Sequence, residues 1–125
     1  MIVGGGLFPR TAIALGRLLP DATLTILDAR QDHLDIARSY LDHRVLLRHA
    51  FYSAAHPLAV DLVVIPMAFL GCRRIVYAHP PARVTLVHDW IWHCRGRGAV
   101  VSWLLLKRIN LIERSQAPES VSLSA

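Results

Sequence analysis

Residues 2–12 read IVGGGLFPRTA. Two β-branched apolar residues run into three consecutive glycines, and a helical pattern starts directly after them. MIV reads as the tail of a strand. TAIALGRLL (11–19) puts Ala12, Leu15 and Leu19 on one helical face, with Thr11 as the expected N-cap. Glycines at such a junction either serve only a tight bend or let a ligand approach the backbone with no Cβ in the way. The choice depends on what lies further along the chain.

Strand-like and helix-like segments go on alternating. TLTIL (23–27) is rich in β-formers and ends at Asp28, and Asp32 is placed to start a helix carrying Leu34, Ala37 and Leu41 at helical spacing. RVLL (44–47) is a third strand. VDLVVI (60–65) is an apolar run broken only by Asp61, as expected of a strand covered on both faces. A short helix is expected near Gly71–Tyr77, ended by Pro80-Pro81, and RVTLVH (83–88) is a fifth strand. AVVSWLLL (99–106) reads as a strand because Gly96 and Gly98 precede it and it starts β-branched. This alternation predicts an α/β, Rossmann-like open sheet, mostly parallel, with helices on both faces. Residues 1–114 are expected to form one cofactor-binding domain with a truncated first strand, and the polar, Ser-rich residues 115–125 are expected to form a flexible tail.

Composition narrows the class. At 125 residues the chain fits one domain with a real core, and 54% hydrophobic against 18% charged residues excludes disorder. The mean hydropathy of +0.38 raises the question of a membrane span. The longest apolar run, PLAVDLVVIPMAFLGC, contains Pro57, Asp61 and Pro66 and falls short of the ~20 residues a spanning helix needs. With no secretory signal either, the expected location is cytoplasmic. Cys72 and Cys94 make no disulfide framework. The net charge of +5 is carried almost wholly by arginine without long runs, so a solvated face is expected rather than a nucleic-acid surface.

In parallel sheets of this kind ligands bind beyond the carboxyl ends of the strands. The candidate site is therefore the Gly4-Gly5-Gly6 turn together with Asp28, which lies 24 residues after Gly4 at the end of the second strand. An acid there can accept both hydroxyl hydrogens of a ribose. The dinucleotide fingerprint asks for G-x-G-x-x-G, and Pro9 stands where the third glycine belongs. That counts against an NAD(P)- or flavin-binding oxidoreductase, and the missing GK[ST] excludes a Walker loop.

The stretch IVGGGLFPRTAIALGRLLPDATLTILDARQDHLDIARSYL resembles the first motif and second helix of class I S-adenosylmethionine-dependent methyltransferases. The G-x-G-x-x-P-x-T form is similar to the glycine loop of nicotianamine-synthase-like members, which transfer an aminocarboxypropyl group from the same cofactor. The resemblance implies that Gly4 and Gly6 flank the methionine portion of S-adenosylmethionine and that Asp28 holds its ribose. It also places His49 or Ala50, in RHAFY, where the family often has an acid near the adenine, and Pro66 in the loop after the fourth strand. Pro66-Met67-Ala68-Phe69 is not an NPPY tetrapeptide, so methylation of a base amine is not indicated. The implied activity is methyl or aminocarboxypropyl transfer to a small-molecule acceptor. Family members carry a helix and a full first strand ahead of the glycines, whereas Met1 stands three residues before Gly4. The competing expectation is a non-catalytic, truncated paralogue.

Two further features invite readings. HDWIWHC gathers His88, Asp89, His93 and Cys94, all able to ligate zinc, but the spacing matches no common site and no metal is expected. AVVSWLLLKRINLI (99–112) is a candidate sheet edge for pairing with a second chain, a possible homodimer, while the three tryptophans lack any accompanying nucleic-acid motif.

Overall fold

The computed structural model describes residues 1–5 and 7–115. Its strands are β1 (Ile2–Val3), β2 (Thr25–Asp28), β3 (Leu46–His49), β4 (Leu62–Ile65), β5 (Val84–Trp90), β6 (Arg97–Ser102) and β7 (Lys107–Glu113). Three helices intervene: α1 (Arg10–Leu18), α2 (Gln31–Arg38) and α3 (Arg73–Ala78). All seven strands form one sheet in the order β3-β2-β1-β4-β5-β7-β6. Pairing is parallel as far as β5, and β7 runs antiparallel to both β5 and β6. The α/β class and the mostly parallel sheet are as the alternation predicts.

Side-chain alternation divides the core between the two faces. Val3, Leu27, Val63, Ile65 and Val87 pack with Val76 of α3 on one side. Ile2, Ile26 and Val64 pack with Ala12 of α1 and Leu34 of α2 on the other. β4 feeds both layers with successive residues, which is why it reads as an unbroken apolar run. β1 is only two residues long yet lies between β2 and β4, with Ile2 opposite both Ile26 and Val64.

Local expectations differ from the structure at three points. Thr11 lies inside α1; the N-cap is Pro9, which has no side-chain cap, and its fixed φ suits a helix entry. Arg30, not Asp32, caps α2, and Asp32 in the first turn accepts the Arg30 guanidinium. The segment 99–106 is not one strand. β6 ends at Ser102, Trp103–Leu106 form a turn, and β7 returns. Leu106 takes the left-handed conformation, φ 54°, unusual for a leucine, and the Ser102 hydroxyl accepts the Leu105 N–H.

β5 and β6 run in the same direction on either side of β7, joined by only residues 91–96 rather than by a helix. Parallel connections usually take a dozen or more residues. Here the strap crosses β7, and Asn110, fully buried at the crossing, ties it down. Its amide donates to the His93 carbonyl at 2.7 Å and to the Tyr77 hydroxyl at 2.8 Å. Its oxygen accepts from Arg108 Nε at 2.7 Å and from the Arg95 N–H at 3.4 Å. Gly98 lies against this cluster, and a Cβ there would sit 2.6 Å from Arg108 Nη2.

Asp89, 2% exposed, is the neighbouring anchor. It accepts from the Tyr77 hydroxyl at 2.7 Å, the Trp90 N–H at 2.8 Å and His93 Nδ1 at 2.8 Å. Burial alone would push its carboxyl up, but the His93, Tyr77 and Trp90 hydrogen bonds outweigh burial and hold it below the ordinary value. Burial is likewise the main reason that the Tyr77 phenol is pushed up to about 12, so it stays a donor at neutral pH.

Replacing Asn110 with leucine strands the Arg108 guanidinium and two backbone groups. Urea unfolding should show a loss of about 2–4 kcal/mol, from unsatisfied buried polar groups. A depressed carboxyl stabilises the fold fully above its unfolded value and loses that contribution as pH falls through the folded value. Thermal melts at descending acid pH should therefore fall more steeply for the native chain than for Asp89→Asn.

Candidate functional site

The end of β1 decides where the site lies. The Gly4 N–H donates to the Leu27 carbonyl at 2.8 Å, so the first residue of the glycine turn stays attached to β2. Gly4 has φ +80°, which glycine adopts at no steric cost, and a Cβ there would lie 3.4 Å from the Phe69 Cα. One residue both turns the chain and admits the loop that follows β4. Beside it, Asp28 closes β2. Its buried carboxylate accepts the Arg30 N–H at 2.9 Å, and His33 Nδ1 stands 3.7 Å from the same oxygen.

These residues line a cavity of about 580 Å³ at the carboxyl ends of β1–β4. Val3, Leu27 and Asp28 come from the first two strands, Gly4 from the turn after β1, Ala50–Tyr52 from the segment after β3, and Ala68–Cys72 from the segment after β4. The lining is largely apolar, with the Asp28 carboxylate set into it. Such a volume and composition suit a small organic ligand fixed by a few polar groups.

The wall after β4 is held by Arg73 at the start of α3. Its guanidinium donates to the carbonyls of Pro66 (2.8 Å), Met67 (3.2 Å), Phe69 (3.3 Å) and His88 (3.0 Å). A planar, five-donor fork is suited to tying one loop to a neighbouring strand end in this way. Phe69 then meets the Tyr52 ring edge-on at 6.0 Å. The Tyr52 hydroxyl is buried with no hydrogen-bond partner among the described residues, and burial pushes its phenol up. Cys72, exposed at the N-cap of α3, lines the cavity mouth; hydrogen bonding from the Ile75 N–H lowers its thiol from the ordinary value.

The sequence-predicted residues divide accordingly. Gly4 and Asp28 both face the cavity. Gly5 packs instead against Ile26, where a Cβ would lie 3.0 Å from Cγ2. Gly6 lies outside the described residues. His49 is exposed outside the lining, its Nε2 3.0 Å from the Ala29 carbonyl, and the lining starts one residue later at Ala50. Pro66 is buried and shapes the wall through its carbonyl, which accepts from Phe69 and Arg73. Within HDWIWHC, Asp89 and His93 pair, His88 lies on the opposite face of β5, and Cys94 is exposed. Among the described residues no group of three or more His, Cys, Asp or Glu is placed to hold a metal ion. Tyr52, Phe69 and Arg73 are site residues that the sequence does not single out, because only the fold brings their loops together.

A carboxylate at a strand end, beside a backbone turn without a Cβ, could hold a ligand with vicinal hydroxyls. Comparison with known proteins bears on the scaffold. No protein-family model matches the chain, and no curated protein matches it by sequence. Among solved structures it is similar to the mitomycin 7-O-methyltransferase MmcR, with a TM-score of 0.67 and 16% identity over 91% of this chain. The chain shares its Rossmann-like α/β fold. It is also similar to the plantazolicin methyltransferase BpumL, solved in complex with a triazolic desmethylPZN analog and SAH, with a TM-score of 0.52 and 18% identity over 71% of this chain. The chain spans less than half the length of these proteins, 48% of the first and 37% of the second. No helix among the described residues is long and apolar enough to cross a membrane.

The unpartnered Tyr52 hydroxyl yields a direct test of the wall. Tyr52→Phe removes an unsatisfied buried donor, so the ligand-free protein should gain about 1 kcal/mol in urea unfolding. A loss of stability instead would mean that the hydroxyl has a partner in solution.

Proposed function

We propose that this chain is the cofactor-binding core of an S-adenosylmethionine-dependent transferase that moves a methyl group to a small-molecule acceptor. One observation carries the reading: the Gly4 turn and the Asp28 carboxylate line a single cavity at the carboxyl ends of β1 and β2. The scaffold supports it. A dinucleotide-binding sheet has the order 3-2-1-4-5-6. Here the antiparallel β7 lies between β5 and β6, which favours the transferase over the NAD(P) or flavin reading.

In this reading Asp28 accepts the ribose hydroxyls, Gly4 lets the amino-acid portion approach the β1 turn, and Phe51 and Tyr52 offer aromatic faces beside Ala50 for the purine. The bound cofactor supplies a sulfonium carbon open to in-line displacement. The protein's part is then proximity, orientation and a largely apolar surround, which needs no acid–base dyad. Pro66-Met67-Ala68-Phe69 after β4 suits an acceptor other than a base amine, and MmcR and BpumL are named for mitomycin and plantazolicin. The G-x-G-x-x-P-x-T loop keeps aminocarboxypropyl transfer as the second form of the same chemistry. Two unpaired, exposed cysteines suit a reducing cytoplasm.

Calorimetric titration with S-adenosylmethionine, S-adenosylhomocysteine and NAD tests this. The adenosyl-sulfur ligands should bind, and Asp28→Ala should weaken them by about ten- to a hundredfold, as expected for lost charge-assisted hydrogen bonds. S-adenosylhomocysteine should also slow alkylation of Cys72 at the cavity mouth while leaving Cys94 unchanged. Binding of NAD alone would establish the oxidoreductase reading instead. A folded chain that binds none of them is the non-catalytic paralogue.

A further inference from the structure

One apolar surface of the molecule lies outside the cavity. β5 ends at Trp90, opposite Lys107, and β6 ends at Ser102, opposite the same lysine. The Trp103–Leu106 turn between β6 and β7 is therefore beside the end of β5. The Ile91 N–H donates to the Leu106 carbonyl at 2.9 Å and joins the two. The Trp90 and Trp92 rings stack, with centroids 5.5 Å apart and planes at 6°. Every tryptophan of the chain thus stands at one end of the sheet, next to three consecutive leucines. All six of these residues are exposed, Trp103 at 72% and Leu104 at 91%. Single apolar residues on a surface are ordinary, but a contiguous group marks an interaction site.

Shape, backbone and charge select the partner. Four consecutive exposed residues at the tip of a hairpin form a projection, which can enter a soft surface without a matching concavity. Hydrocarbon penalises unbonded peptide groups. In this turn the Leu105 N–H donates to the Ser102 hydroxyl at 3.0 Å and the Leu106 N–H to the Trp103 carbonyl at 3.3 Å, while the Leu106 carbonyl is taken by Ile91. Leu106 holds the left-handed conformation that glycine would adopt without strain, and so keeps an apolar side chain at the tip.

The charge around the tip has one sign. From Trp90 to Ile112 the sequence contains no Asp or Glu, but it contains Arg95, Arg97, Lys107 and Arg108. Arg108 is buried on Asn110, which leaves three cations for a partner. Asp89, the carboxylate just before this segment, is buried and hydrogen-bonded. Tryptophan, with an apolar ring and a polar N–H, favours the boundary between hydrocarbon and water.

We propose that this end of the sheet docks on an anionic lipid surface. The Trp103–Leu106 tip enters the boundary between headgroups and acyl chains, with the Trp90–Trp92 stack beside it. Lys107 stays at the headgroups, and Arg95 and Arg97 stand behind it. The open edge of β6 remains in water, where solvent can satisfy its backbone. A few side-chain anchors without a lipid chain give reversible attachment. Because β5 runs parallel to β4, the docking tip is at the carboxyl end of the strands, the end that also holds the cavity.

All tryptophans belong to the patch, so the intrinsic fluorescence of the full chain reports on it directly. With phosphatidylglycerol vesicles the native chain should float, its emission should shift to the blue, and brominated acyl chains should quench it. Phosphatidylcholine vesicles should bind it about tenfold more weakly or less, as expected when its cations lose an anionic surface. Leu104→Glu should weaken phosphatidylglycerol binding about tenfold or more, with an unchanged urea midpoint because the side chain is exposed. A native chain that ignores phosphatidylglycerol vesicles overturns the proposal, as does one that binds both lipids equally. Emission that brominated chains leave unquenched overturns it independently of any variant. Undiminished binding by Leu104→Glu means that another surface holds the lipid. A dimer that forms with rising concentration and ignores the vesicles also overturns it and assigns the patch to a second copy.

Discussion

Two hydrogen-bonded residues at the centre of the sheet hold the rest in place. Ile2 and Val3 lie between β2 and β4, and the backbone bond from Gly4 to Leu27 extends that pairing one residue into the turn. Because β1 stops there, the chain leaves the sheet next to Asp28, and the backbone of Phe69 can close over it. A longer β1 would carry the turn past the carboxylate. The cavity is thus a consequence of strand register more than of any individual side chain.

The walls of the cavity depend on a second device, the Arg73 fork. Loops after parallel strands have no ladder to hold them, and backbone carbonyls pointing away from the sheet need donors. Arg73 supplies donors to three residues of the β4 loop and to the end of β5. The cavity half of the molecule is in this way tied to the half that contains Asp89 and Asn110.

Much of this was legible in the sequence, and the reasons differ by element. The alternation of apolar runs identified the layered sheet, and the pairing of a glycine turn with an acid at the next strand's end located two of the lining residues, Gly4 and Asp28. What escaped was non-local. Tyr52 and Phe69 stand in irregular segments with no periodicity, and no spacing rule says that their rings meet. The β6–β7 turn escaped because WLLL contains no glycine, proline or asparagine. Leu106 adopts a positive φ that its residue type does not advertise, and Ser102, whose hydroxyl accepts a backbone N–H three residues on, was the one available signal.

The short strap between β5 and β6 also bears on how the molecule assembles. β5, β6 and β7 are contiguous in sequence, so their pairings close only small loops. Ile2 meets Val64 across half the chain, and that closure is entropically dearer. The β5–β7 end is therefore the locally paired unit, and the central strand is the least local. The cavity depends on that central pairing. A molecule bound there would reinforce the least local part of the fold.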